Sequence, residues 1–171
     1  MTERVYNVLF LCTGNSARSI IAESLLNTMG KGRFRGFSAG SHPGGTVNPL
    51  VLAHLRDRQV ATDGARSKSW HEFAGDEAPR MDLVITVCDQ AAGELCPVWP
   101  GMPAKAHWGA PDPAAHMDDP EQARTVIREV TQLMQRRLSL LINLPVATLD
   151  RISLQAETRA IANARSEHFQ T

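Results

Sequence analysis

Val8-Leu9-Phe10-Leu11-Cys12-Thr13-Gly14-Asn15-Ser16-Ala17-Arg18-Ser19 decides the fold. The apolar run from Val8 to Leu11 reads as a buried strand, and Ile20 to Met29 reads as a helix. Between them, a cysteine, five residues and an arginine occupy a strand-to-helix turn. Such a turn aims backbone N–H groups inward, and the helix N-terminus adds positive potential. The segment therefore makes a pocket for a tetrahedral oxyanion with a sulfur nucleophile at its floor. Arg18 presents a planar fork that grips two oxygens of the anion. The same field is expected to lower the pKa of Cys12 and leave it a thiolate near neutral pH. The candidate oxyanion-binding residues are Thr13, Gly14, Asn15, Ser16, Ala17, Arg18 and Ser19. Gly14 is expected to shape the loop through steric freedom, and Asn15 through its tolerance of left-handed backbone. Ser19 reads two ways, as a hydrogen-bond partner of the Cys12 thiolate or as a cap on the first helical turn.

The rest of the chain narrows the classes of function. Its 171 residues suit one domain, and 18 basic residues balance 18 acidic ones. A net charge of zero argues against nucleic acid or an acidic membrane as the main partner. No apolar run approaches a membrane span, and the N-terminus lacks the apolar core of a signal peptide, so a cytoplasmic location is expected. Three cysteines do not make an even disulfide framework. One of them lies in the anion loop, which reads as chemistry rather than stapling.

Strands and helices alternate outward from that loop. Strands are expected over 5–11, 34–39, 83–87 and 104–108. Helices are expected over 19–29, with Gly30 and Gly32 as stop signals, and over 49–58, with Asn48 as N-cap and Pro49 at the first position. A long helix opens at Asp119-Pro120-Glu121 and runs to 143, with Arg136 and Arg137 near the end that favours cations. The Arg/Glu pattern from Glu121 to Arg137 reads as a solvated face. A last helix, 148–168, carries Leu149, Ile152, Ala156 and Ala160 on one stripe, which either packs on the domain or forms a dimer contact. A monomer or weak dimer is expected. Trp99 and Trp108 read as core or lid residues. The pattern predicts an α/β fold of three layers, a four-stranded parallel sheet flanked by helices, with an extra C-terminal helix. The domain is placed at 1–145 and a helical extension at 146–171.

In such sheets ligands bind beyond the carboxyl ends of the strands, where the strand order reverses. Cys12 follows the first strand and Cys88 follows the third, so the two are expected to meet in one crevice. Cys96 lies eight positions beyond Cys88. On an unbroken helix that is a rise of roughly 12 Å, whereas a disulfide needs Cα atoms within about 7 Å. Pairing these two thiols requires a bent or unwound segment, and Gly93 with its polar neighbours suits one. A two-cysteine metal site lacks further ligands at the right spacing. Asp112, in the stiff turn Gly109-Ala110-Pro111-Asp112-Pro113, reads equally as a proton donor beside the anion or as a turn cap.

Taken with Ala22-Glu23, the loop resembles the N-terminus of the low-molecular-weight tyrosine phosphatase fold. Ser38-Ala39-Gly40, Asn48-Pro49, Ile85-Thr86-Val87-Cys88 and His107-Trp108-Gly109 with Asp112-Pro113 make the pattern most similar to arsenate reductases of the thioredoxin-linked type. The resemblance covers 4–143. It implies reduction of arsenate to arsenite through Cys12 as nucleophile, Arg18 and the loop amides as anion grip, and Asp112 as general acid. It further implies that Cys88 forms a disulfide with Cys12, and that Cys96 moves the disulfide to Cys88–Cys96 for reduction. No bound cofactor is implied. The reductant is an external thiol protein, thioredoxin by preference, with glutaredoxin and glutathione as alternatives. The alternative activity is that of a protein tyrosine phosphatase, which has no need of Cys88. Ala17 and Ile20 stand where many relatives carry a second cysteine or a proline. The missing proline after Arg18-Ser19 favours the reductase. Some relatives bind potassium beside the loop. Asn15, Glu23 and Ser38 match three of its ligands, while Lys68 falls where an acidic ligand would sit. The Lys68 ammonium is therefore expected to replace the ion.

Overall fold

The computed structural model describes residues 4–88, 99–116 and 118–168. Four parallel strands form its sheet: β1 (Tyr6–Cys12), β2 (Phe34–Gly40), β3 (Leu83–Thr86) and β4 (Ala104–His107). Among the described residues four helices accompany them: α1 (Arg18–Met29), α2 (Pro49–Asp57), α3 (Pro120–Ile142) and α4 (Arg151–His168). The expected α/β class and its four-stranded parallel sheet are borne out. Among the described residues, no helix is long and apolar enough to cross a membrane.

The sheet order is β2-β1-β3-β4. After β1 the chain steps to one side, and β3 and β4 then build on the other. The order therefore reverses between β1 and β3, which places the crevice at their carboxyl ends. Leu11 is in register with Thr86, and the Val87 N–H continues the ladder to the Leu11 carbonyl at 2.8 Å.

β1 is central and buried on both sides, which explains its unbroken apolar run. Val8, Phe10 and Cys12 face the layer that packs α1, α2, α3 and α4. Leu9 and Leu11 face a thinner cover of Trp70, Phe73, Met81 and Trp99, built partly on the 3₁₀ turn Trp70–Phe73. Trp99 and Trp108 are both core residues. Asn48 caps α2 as expected, its side chain accepting from the Leu50 N–H at 2.9 Å, with Pro49 at the first position.

Two expectations are corrected. α4 begins at Arg151, because Val146–Thr148 form a 3₁₀ turn and the Asp150 carboxylate accepts from the Ser153 N–H at 2.7 Å. Its buried face is Leu154, Thr158 and Ile161, whereas Ile152, Ala156 and Ala160 are exposed. Along α3, Arg137 is only 3% exposed, so it leaves the solvated face assigned to it.

Candidate active site

β1 ends on Cys12 and α1 begins at Arg18, so the turn between them sits over the order reversal. The carbonyls of Thr13, Gly14 and Ser16 accept from the N–H groups of His42, Gly44 and Asn48 at 2.9, 3.2 and 2.9 Å. A carbonyl held outward turns the N–H of the same planar peptide inward. The amides of Gly14, Asn15 and Ala17 are turned away from those partners in this way, and the Gly14 N–H hydrogen-bonds the Cys12 sulfur. Ala17 caps α1 with no side-chain bond, which suits a first turn that receives an anion.

Asn15 takes the left-handed conformation, φ 46°, as expected. It is fully buried, donates from Nδ2 to Ser19 Oγ at 2.8 Å, and accepts at Oδ1 from the Lys68 N–H at 2.9 Å. Ser19 therefore braces Asn15, a role neither of its two sequence readings contained. Gly14 is also corrected. It has no positive φ, and an added Cβ would meet only Ser16 Oγ at 3.7 Å. The glycine that the loop requires is Gly40, where a Cβ would lie 2.5 Å from the Thr13 carbonyl oxygen.

Cys12 and Cys88 come together, both buried and both reduced. Thr13 Oγ1 lies 3.5 Å from Cys88 Sγ. The Cys12 thiol is pushed well above the ordinary cysteine range. Its hydrogen bond to Cys88 is the largest cause, followed by burial and by negative charge on Cys88, while Arg18 and the Gly14 N–H pull the other way. The expectation of a Cys12 thiolate near neutral pH is corrected for this arrangement. Two buried thiols in contact release a second proton only with difficulty. Cys96 lies outside the described residues.

Arg18 crosses the mouth of the loop. Its Nη1 donates to the Ala110 carbonyl at 3.2 Å, and its Nη2 is 3.4 Å from Asp112 Oδ2. Asp112 is 42% exposed against 13% for Arg18, so the carboxyl faces solvent at the rim. Arg137, arriving from α3, donates from Nη1 to the Gly109 carbonyl at 3.0 Å. The sequence reading missed it because it weighed the charge and not the position. Arg137 continues the apolar stripe of Val130, Met134, Leu138 and Leu141, and that spacing was the available signal.

Beneath the loop, Ser38 Oγ donates to Glu23 Oε2 at 3.0 Å. Lys68 Nζ donates to Ser38 Oγ at 3.3 Å and to the Arg66 carbonyl at 2.8 Å. Burial pushes the Glu23 carboxyl up, with Lys68 opposing, and burial pushes the Lys68 ammonium down, with Glu23 opposing. The Lys68 ammonium thus lies on Ser38 and acts on the charge of Glu23, two of the residues expected to line an ion site. Among the described residues, no three His, Cys, Asp or Glu side chains are grouped to hold a metal.

A parallel sheet with a cysteine-to-arginine anion loop at its order reversal and an aspartate at the rim defines a small thiol enzyme of the phosphatase-fold class. Residues 7–154 match the low molecular weight phosphotyrosine protein phosphatase family, and the chain belongs to it. An arsenate reductase of Halalkalibacterium halodurans is 30% identical over 131 residues, covering 77% of this chain and 91% of that one. The crystal structure of an arsenate reductase from Archaeoglobus fulgidus superposes with a TM-score of 0.58 at 29% identity, covering 77% of this chain and 98% of that one. A thioredoxin-dependent arsenate reductase of Corynebacterium glutamicum gives 0.51 at 32% identity, covering 77% of this chain and 62% of that one.

Proposed function

We propose that this chain is an arsenate reductase that draws electrons from a thiol protein, thioredoxin by preference. The observation that carries the proposal is the Cys88 thiol seated against Cys12 at the floor of the anion loop. Hydrolysis of a phosphate ester has no use for a second thiol there.

Arsenate enters with its oxygens on the inward amides and the Arg18 fork. The Cys12 thiolate attacks arsenic, and hydroxide leaves as water with a proton from Asp112. The product is a sulfur–arsenic(V) adduct. Cys88, as thiolate, then attacks the Cys12 sulfur. The sulfur–arsenic bond breaks with its electron pair going to arsenic, arsenite departs, and a Cys12–Cys88 disulfide remains. Cys96 attacks Cys88, which returns Cys12 as a thiolate and leaves Cys88–Cys96. The dithiol of the partner protein reduces that bond, so two electrons enter for each arsenate reduced. The raised Cys12 pKa adds a condition to the first step. Cys88 must hold its proton, or draw back, when Cys12 attacks.

The test is NADPH consumption with arsenate and a thioredoxin system. Wild type turns over, and Cys88→Ser stops after one adduct per Cys12, visible as an added arsenate mass on the protein. Full steady-state turnover by Cys88→Ser would reject the relay. Cys12, Arg18 and Asp112 alone suffice for phosphomonoester hydrolysis, so phosphatase activity surviving in Cys88→Ser while arsenate reduction is absent from wild type would favour the phosphatase reading.

The same reading gives Lys68 the place of a monovalent cation under the loop. Adding potassium in place of a large organic cation at constant ionic strength is then expected to change neither turnover nor Tm. A marked rise in either removes Lys68 from that role.

A further inference from the structure

The geometry points to Arg137 as a positioning residue that sets the rim loop carrying Asp112. The inference rests on the reading of Asp112 as the proton donor. Loop 109–112 hangs between two guanidinium groups on successive carbonyls. Arg137 Nη1 holds the Gly109 carbonyl at 3.0 Å from the α3 side, and Arg18 Nη1 holds the Ala110 carbonyl at 3.2 Å from the anion-loop side. Two residues on, Asp112 approaches Arg18 Nη2 at 3.4 Å. The loop enters from a fixed point, since Trp108 is fully buried and its N–H donates to the Thr86 carbonyl at 2.7 Å. It leaves through Pro113 into a 3₁₀ turn that extends to His116.

Burying a guanidinium, as at Arg137, carries a large desolvation cost unless its N–H groups are bonded. A lysine at this depth on the same stripe would present one point charge instead of a rigid fork. A leucine would pack there without polar demands. The arginine is therefore matched to the Gly109 carbonyl, and through it to the course of the loop. Arg18 can then bind the anion with its remaining donors while Arg137 keeps the loop, and with it Asp112, at the rim. Asp112 is more than a third exposed and gains little rigidity from burial, so backbone anchors of this kind act together with its contact to Arg18 in setting its position.

Arg137→Met and Arg137→Lys test the proposal, each alone and in the Asp112→Asn background. In Arg137→Met, kcat for arsenate is expected to fall about tenfold with KM unchanged within twofold, because anion binding belongs to Arg18 and the amides. Arg137→Lys recovers part of the loss. In the Asp112→Asn background the same change has almost no further effect, as for two residues that act through one group. Equal losses in both backgrounds, or a rise in KM alone, overturn the proposal. Hydrogen exchange gives a readout independent of the reaction. Amides of 109–112 exchange at least tenfold faster in Arg137→Met while those of β1 and α3 are unchanged, and protection of 109–112 equal to wild type overturns the proposal. If wild type does not reduce arsenate, the proposed function fails, and the exchange result still decides whether Arg137 fixes the loop.

Discussion

At Cys12 four influences compete for one proton. The Gly14 N–H and the Arg18 charge stabilise the thiolate, burial opposes it, and the neighbouring Cys88 opposes it most. The pair behaves as one titrating unit with a single proton to give easily. Removing the partner thiol is therefore expected to move Cys12 toward the thiolate. In Cys88→Ala the pH midpoint for alkylation of Cys12, followed by mass spectrometry of its peptide, falls by about one unit or more relative to wild type. The sign follows from the coupling, since the folded-state pKa is raised in the pair and relaxes downward without it. A midpoint that stays or rises would mean that burial governs this thiol and that Cys88 does not control when it attacks. The same coupling orders the chemistry, because an incoming arsenate meets a nucleophile whose charge depends on where Cys88 has put its own proton.

The elements around the loop carry its shape. β2 ends on Gly40 beneath the turn, with its N–H bonded to the Lys68 carbonyl at 2.9 Å. The Thr13 carbonyl oxygen lies where a Gly40 side chain would begin. Gly40→Ala is expected to lower stability by about 1–3 kcal/mol as an overpacked site, and to weaken the protection that arsenate gives Cys12 against alkylation. An unchanged Tm together with full protection would show that the loop has room to move. Gly40 stood in the sequence as part of Ser38-Ala39-Gly40, but its reason is a contact across the sheet that no local pattern encodes. The strands and first helices were legible because a central parallel strand is apolar throughout and because Asn48-Pro49 and Asp119-Pro120 mark helix starts directly. The meeting of Cys12 and Cys88 was legible from topology, since both follow strands that flank an order reversal. Arg137 was not, because a charge on an apolar stripe is hidden by the charges beside it. The stripe of α4 was misplaced because Leu154, Thr158 and Ile161 and the rival set Ile152, Ala156 and Ala160 each share a helix face by spacing. Packing against β4 and Trp108, which local sequence does not encode, selects the first set for burial.

At the scale of the whole molecule, α4 closes the sheet. β4 is an edge strand, and unpaired edge groups invite association with other chains. Here the Lys105 N–H donates to Gln155 Oε1 at 2.9 Å, and the Lys105 carbonyl accepts from Arg159 Nε at 3.2 Å. Trp108 Nε1 donates to the Thr158 carbonyl at 3.0 Å. The helix thus covers the edge and holds the tryptophan that precedes the rim loop. Ending the chain at residue 149 removes the burial of Leu154 and Ile161, each worth about 1.5–3 kcal/mol. At roughly 2–4 °C per kcal/mol for a domain of this size, Tm is expected to fall by about 10 °C. Trp108 emission should shift to the red as its ring meets water. Slower arsenate reduction should accompany it, since Gly109 follows directly and the loop would lose its fixed entry point. A shortened chain with the Tm, emission maximum and turnover of the full protein would make α4 an independent appendage instead of a wall of the domain.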